Sequence, residues 1–420
     1  MSEKLSFKGA TKEVGRAAVL LDIGSEKLLM DYGLKPTPDI VEFPKPVNEK
    51  LSGILITHGH LDHLGALPTL YNRGQNCHIF GTEITSHFCR LLLTDSLKVS
   101  KQNGYELGYE EKDIKTLSKN YVSISYKKPF KIGNVKITAF DAGHISGSCM
   151  FLVESSKRIL YTGDFRVSDT RLIKGADIEM DNVDVLITEC TYSDREHPNR
   201  EKEEMRLIEF IEETLSNDGV FLLSAFAISR SQELLLVLSD YDINAPIYLD
   251  GMAADATGII AAYPELQKNY NELKKVMQKL NVQTVSQAGR KKIIKKPCII
   301  ITGSGMLEGG PVVDYIKKLH DKKNCSLALT GFQVPGTAGY KLMQNGIFYG
   351  DGLELKMEMN FKKFDFSSHA PRSELLQMIK KVNPEKVFCI HGDKTEEFAR
   401  ELKGEGFDAV SPVVDKKYEI

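Results

Sequence analysis

Apolar residues along the first half of the chain fall in short runs that end in polar residues: "AAVLLDIG", "KLLMDYG", "GILITHG", "VKITAFDAGH", "RILYTGDF" and "VDVLITECTY". Runs of this length predict strands, several of them closing on Asp, His or Glu. Between residues 82 and 119 the pattern turns helical, as in "TEITSHFCRLLLTDSLKVS", so helices are expected to cover a sheet. After about residue 197 an acidic amphipathic helix, "REKEEMRLIEFIEETLSN", brings Leu207, Ile208, Ile211 and Leu215 to one face. Strand–helix alternation follows: "GVFLLSAF" then "SRSQELLLVLSDY", "APIYLD" then "DATGIIAAY", "PCIIITGSG" then "PVVDYIKKLH", and "CSLALTG". That alternation predicts a parallel α/β sheet with helical crossovers. Beyond residue 355 short segments with polar ends return, "KFDFSSHAPRSELLQMIKK" and "KVFCIHGD". The middle block therefore reads as an insertion, giving a first part at 1–197, an inserted domain at 198–355 and a returning part at 356–420.

Composition narrows the class. A chain of 420 residues with 42% hydrophobic residues can fill two or three ordinary cores. Its seven cysteines are scattered, odd in number and without a CxxC pair, which predicts buried thiols in a reducing compartment. "MSEKLSFKGATKEVG" has no apolar core of signal-peptide length, and no stretch reaches the roughly 20 apolar residues of a membrane span, so a cytoplasmic protein without a membrane partner is expected. The net charge of −2 excludes a uniformly basic coat. One local exception runs from Lys274 to Lys296, with eight basic residues and no acidic one. It is read either as a solvated face or as a phosphate contact, the latter through Arg290, Lys291 and Lys292.

The densest chemistry lies in "ILITHGHLDHLG", residues 54–65, where His58, His60, Asp62 and His63 follow an apolar run. Neutral imidazole with carboxylate suits zinc. In an extended segment His58 and His60 share a face and can address one metal together, while Asp62 and His63, after the chain turns, address another. Other strand ends add His144 in "AFDAGHISGS", Asp164 in "LYTGDF", Glu189 in "VLITECTY", and His369 and His391 in the returning segments. Of ten histidines, six sit at strand ends or beside glycines; His78, His87, His197 and His320 do not and are assigned to core or surface.

Taken in order, "THGHLDHLGALP", "DAGHISGS", "LYTGDF", "LITECTY", "SSHA" and "CIHGD" resemble the metallo-β-lactamase fold in its β-CASP branch of nucleic-acid-processing nucleases. "FAISRSQELL", "IYLDGMA", "GSGMLEGGP" and "TGFQVPGT" resemble the β-CASP domain of the cleavage and polyadenylation specificity factor nuclease and its archaeal relatives, with RNase J as a cousin. The resemblance implies an α/β protein, a metallo-β-lactamase αββα sandwich with an inserted β-CASP domain. It further implies two zinc ions per chain, one held by His58, His60 and His144 and the other by Asp62, His63 and His391, with Asp164 bridging and Asp31 supporting the ligand loop from behind. Glu189 and His369 match motifs that work beside the metals.

Such a site suits phosphodiester hydrolysis, because paired zinc ions activate water near neutral pH and hold a phosphate oxygen. His369 would deliver the proton that the leaving alkoxide requires, oriented by Glu189, with Asp62 beside the reaction; Ser367 and Ser368 are candidates for a phosphate contact. The expected activity is cleavage of single-stranded RNA in a groove between two domains, endonucleolytic or from a 5′ end. A small-molecule hydrolase has little use for an inserted domain of roughly 150 residues. A non-catalytic scaffold subunit would not need every ligand position, and all are filled here. A DNA-directed relative typically lacks histidine at the last motif, where this chain has His391. The first strand begins near Met1 and 29 residues follow His391, so RNA is expected to be gripped by the two domains alone, or with a second subunit in a homodimer or an assembly of RNA-processing subunits.

Overall fold

The computed structural model describes residues 3–36 and 40–420, and its contacts divide the chain into two units. One comprises Met1–Asp169, Gly175–Glu196 and Ser368–Ile420; the other comprises Thr170–Lys174 and His197–Ser367.

The first unit is built on two seven-stranded sheets. Side chains in a strand alternate faces, and the sequence uses both faces of these strands for apolar residues. Val19, Leu21, Leu28 and Met30 of one sheet meet Phe151, Val153, Ile159, Val185, Ile187, Phe388 and Ile390 of the other in a shared core. The intervening residues point the opposite way. Leu20, Leu29 and Ile54 pack with Leu70, Cys89, Leu93 and Ile114 from the helices Leu67–Asn72, Glu83–Asn103 and Glu111–Lys119. Met150, Leu152, Leu160, Leu186 and Val387 pack with Leu375, Met378, Ile379, Phe398 and Leu402 from the helices Arg372–Val382 and Thr395–Gly404. The result is the four-layer αββα sandwich.

Strand direction then decides where the loops gather. Arg158–Tyr161, Val185–Glu189 and Lys386–Ile390 run parallel, and Val135–Asp141 shares their direction through the antiparallel strand Cys149–Glu154 between them. In the facing sheet Glu26–Met30, Gly53–Leu55 and Ile79–Thr82 are also parallel. Carboxyl ends of parallel strands are where open α/β sheets present their binding residues.

The second unit carries a six-stranded, wholly parallel sheet in the order Gln283–Val285, Ile247–Asp250, Cys298–Thr302, Val220–Ser224, Ser326–Leu329, Asn360–Lys363. Two features differ from the boundaries expected of the insertion. Asn360–Lys363 pairs with Ser326–Leu329, so the sheet continues past residue 355. Thr170–Lys174 also belongs to this unit, because the Arg171 guanidinium binds Glu204 at 2.9 Å and the Arg171 amide donates to Glu233 at 3.0 Å. In the helix Arg200–Ser216, Leu207, Ile208 and Ile211 are buried as expected, but Thr214 takes a buried place and Leu215 is only half-buried. No helix among the described residues is long and apolar enough to cross a membrane, and all seven cysteines are free and buried.

Candidate metal centre

Every strand-end residue singled out in the first unit arrives at one edge of the sandwich. Among the described residues three groups there could hold a metal ion: His58, His60, His144 and Asp164; Asp62, His63 and His391; and Asp164, Glu189 and His369. His58 follows the strand Gly53–Leu55 by three residues, His60 caps the short helix Leu61–Leu64 in an extended conformation, and Asp62 and His63 lie in that helix. Asp164 follows Arg158–Tyr161, Glu189 ends its strand and His391 begins the turn after Lys386–Ile390.

Close backbone approach makes the edge compact. A Cβ on Gly33 would stand 1.7 Å from the Asp62 carbonyl oxygen, so only glycine lets this loop seat the helix that carries Asp62 and His63. Gly163, at φ +52°, packs within 2.7 Å of Thr57 on the same count. Asp31 and His391 themselves sit in the left-handed region, at φ +57° and +49°. Non-glycine residues adopt it mostly as Asn, Asp or His, and usually where surrounding structure demands it.

In the first group the facing atoms are His58 Nε2 and His60 Nδ1 at 3.1 Å, His144 Nε2 and His60 Nδ1 at 3.3 Å, and Asp164 Oδ2 at 3.5 Å from His58 Nε2 and 3.7 Å from His144 Nε2. Four donors around a tetrahedral ion with bonds of about 2.0–2.1 Å stand about 3.3–3.4 Å apart, so this set has the spacing such an ion requires. In the second, His391 Nε2 lies 3.3 Å from Asp62 Oδ2, and His63 Nε2 lies 3.2 Å from Asp164 Oδ2. Asp164 also reaches His391 Nδ1 at 3.2 Å through its other oxygen, which puts one carboxylate beside both groups.

The far sides of the rings are fixed. His63 Nδ1 donates to Asp31 Oδ2 at 2.7 Å, and the same carboxylate accepts from the Thr57 amide, the Thr57 hydroxyl and the Tyr161 hydroxyl at 2.9, 2.8 and 2.8 Å. His144 Nδ1 donates to the Ser368 carbonyl at 2.9 Å, and His58 Nδ1 to Thr57 Oγ1 at 3.0 Å. A hydrogen on Nδ1 leaves the Nε2 lone pair to face the group, the arrangement by which outer hydrogen bonds set a ligand's tautomer.

Charge agrees with this division. Burial drives His58 and His144 well below the ordinary histidine value, and His60 falls to about 4 for the same reason. All three are then neutral at pH 7. Burial alone would raise the Asp164 carboxyl, yet His391, His63 and His369 around it hold it well below the usual carboxylate range. Burial opposes a charge on His63, but Asp164, Asp31 and Asp62 raise it well above its usual value, and a cation at Nε2 would displace that proton.

His369 stands apart from this pattern. Its Nδ1 lies 3.0 and 3.2 Å from the two oxygens of Glu189, whose Oε1 also accepts the Phe165 amide at 2.8 Å. Burial works against the imidazolium, and the carboxylates of Glu189 and Asp164 overcome it, lifting the ring to about 9. Most of the site is buried, whereas His60, Asp62 and His369 are half-buried and form its open side.

Not every candidate contact lies here. Ser368 contributes its carbonyl to His144, and the Ser367 amide is bound to Asp365 at 2.9 Å. Arg290 lies outside this edge, where it forms a two-pronged pair with Asp250 at 2.8 and 3.0 Å and reaches Asp314 at 2.6 Å. Thr57 and Tyr161 escaped the sequence reading. The only local signal was for Thr57, a hydroxyl at the end of an apolar run, directly before His58.

A sequence profile described as a metallo-beta-lactamase superfamily domain matches residues 19–191, a Beta-Casp domain profile matches 231–342, and a Zn-dependent metallo-hydrolase RNA specificity domain profile matches 354–412. A probable RNase of Methanocaldococcus jannaschii is 37% identical over 99% of this chain and 100% of its own length. The chain belongs to the metallo-β-lactamase β-CASP ribonuclease family. RNase aCSPSF2 of Saccharolobus solfataricus is 34% identical over 98% of this β-CASP chain and 84% of its own. The solved structure of an Enterococcus faecalis protein of unknown function, 11% identical, shares the fold with a TM-score of 0.62 over 100% of both chains. Metal binding goes with the superfamily, and this β-CASP protein has a His/Asp cluster suited to it.

Proposed function

We propose that this chain is a two-zinc ribonuclease that hydrolyses phosphodiester bonds of single-stranded RNA in the cytoplasm. The observation that carries the reading is the convergence of seven His and Asp donors from four separate segments of the chain, four of them with the spacing of a tetrahedral ion. His58, His60 and His144 would hold one zinc and Asp62, His63 and His391 the other, with Asp164 shared. When bound, the pair supplies an activated water at neutral pH and positive charge for a phosphate oxygen.

The chain's own residues do the rest. Asp31, with Thr57 and Tyr161, keeps His63 in its binding tautomer. Glu189 turns His369 so that Nδ1 faces inward and Nε2 can carry a proton to the leaving ribose oxygen. The half-exposed edge at His60, Asp62 and His369 is where the phosphodiester would approach. The two relatives, a probable RNase and an RNase, support RNA over other phosphodiesters.

The test is cleavage of a single-stranded RNA labelled at either end, with a 5′-monophosphate or a 5′-triphosphate. Cleavage that requires zinc is expected, and product lengths read the mode: mononucleotides from the 5′ end for an exonuclease, internal fragments for an endonuclease. Zinc-loaded protein that leaves every RNA intact would overturn the proposal in favour of a scaffold role.

A further inference from the structure

Eight basic residues between Lys274 and Lys296 are not accounted for by the metal centre, and the structure separates them by task. Arg290 is an anchor: its guanidinium grips Asp250, which is 1% exposed and also accepts the Tyr315 hydroxyl at 2.6 Å. Ile293 and Ile294 pack inward on the core of the second unit. Between and beyond them Lys291, Lys292, Lys295 and Lys296 are all exposed. The helical turn Arg290–Ile293 and the turn after it therefore carry four exposed ammonium groups outside the core that takes Ile293 and Ile294.

This segment is out of balance. The chain has 57 acidic residues for 55 basic ones, enough to pair nearly every cation, yet among the described residues no carboxylate pairs with any of these four lysines. Asp250 and Asp314 are taken by Arg290. A fold that clamps such a segment in place maintains a concentrated positive patch, which a polyanion would relieve.

We propose that Lys291, Lys292, Lys295 and Lys296 form a second contact with the RNA backbone, on the unit that does not hold the metal centre; this rests on the ribonuclease reading above. Lysine offers a point charge without the forked geometry that reads a base edge, so the contact takes phosphates and is indifferent to sequence. A membrane surface fits less well. Helices that lie on lipid present large apolar residues beside their basic ones, and here the apolar residues Ile293 and Ile294 face the protein core.

The experiment uses the zinc-loaded full chain and a cleavage-resistant phosphorothioate oligoribonucleotide, with binding followed by fluorescence anisotropy across a salt series. The variant replaces the four lysines with alanine. Each phosphate contact on a single strand contributes about 0.7 to the slope of log affinity against log salt, so the variant is expected to lose about 2–3 from that slope, with weaker binding at low salt. Arginine at all four positions should restore the slope. The melting temperature of both variants should match the parent, whereas Arg290→Ala should lower it. A folded alanine variant with the parent's slope would overturn the proposal, as would loss of binding to phosphatidylserine vesicles with RNA binding intact. Because binding is read apart from cleavage, a parent that binds RNA through these lysines but cuts none would sink the ribonuclease reading and leave the contact standing.

Discussion

Replacing His60 by alanine is expected to lower the zinc content from about two ions per chain towards one and to cut the cleavage rate by at least the 10²–10⁴-fold typical of losing a positioned catalytic group, with the fold intact. The position permits a clean loss. His60 caps Leu61–Leu64 through its backbone, its side chain makes no capping hydrogen bond, and the residue is half-buried, so truncation leaves the helix start in place. Its Nδ1 stands 3.1 Å from His58 Nε2 and 3.3 Å from His144 Nε2, at the centre of the first group of donors. Removing that donor leaves two histidines and a carboxylate. Elemental analysis beside a thermal melt and a cleavage assay checks this; the parent's full zinc content with undiminished cleavage would remove His60 from the ligand set.

His369→Ala should behave in the opposite way with respect to metal. It is expected to retain both zinc ions, to bind RNA nearly as well as the parent and to lose roughly 10²–10⁴-fold in rate, the range for a positioned general acid. The distinction rests on which groups its Nδ1 faces: both oxygens of Glu189 are within 3.2 Å, while Asp164 is at 3.9 Å. If Glu189 acts through the ring that it contacts, Glu189→Gln should keep the metals and cost less, and the double replacement should be little worse than His369→Ala alone. His391→Ala, by contrast, should lose zinc, with activity partly restored by added metal. Loss of a zinc ion from His369→Ala would instead make a ligand group of Asp164, Glu189 and His369, the third constellation at this edge.

The features that could be read from the sequence were those with a local signature. Short apolar runs foretold strands such as Val185–Glu189 and Val220–Ser224, and polar residues at the ends of the first unit's runs foretold the candidate donors, because parallel strands carry their carboxyl ends to one edge. Contacts between distant segments left no such trace. Tyr161 reaches Asp31 across 130 positions, and Asp250 lies 40 residues before the Arg290 that it holds. A guanidinium in a lysine-rich run reads as one more surface cation, and its grip on Asp250 and Asp314 is visible only in the fold. The insertion's ends were blurred for the same reason: Asn360–Lys363 resembles any short polar-ended strand, and only its pairing with Ser326–Leu329 assigns it to the second unit.

The most direct measurement is a zinc titration of the chelated full chain, with zinc per chain and RNA cleavage recorded on the same samples. The proposed two-zinc centre predicts no cleavage without metal and a rise that levels off at about two zinc ions per chain, since the donors form two groups beside a shared Asp164. Cleavage at the full rate by protein shown to contain no metal, or no cleavage at any zinc content, would contradict it.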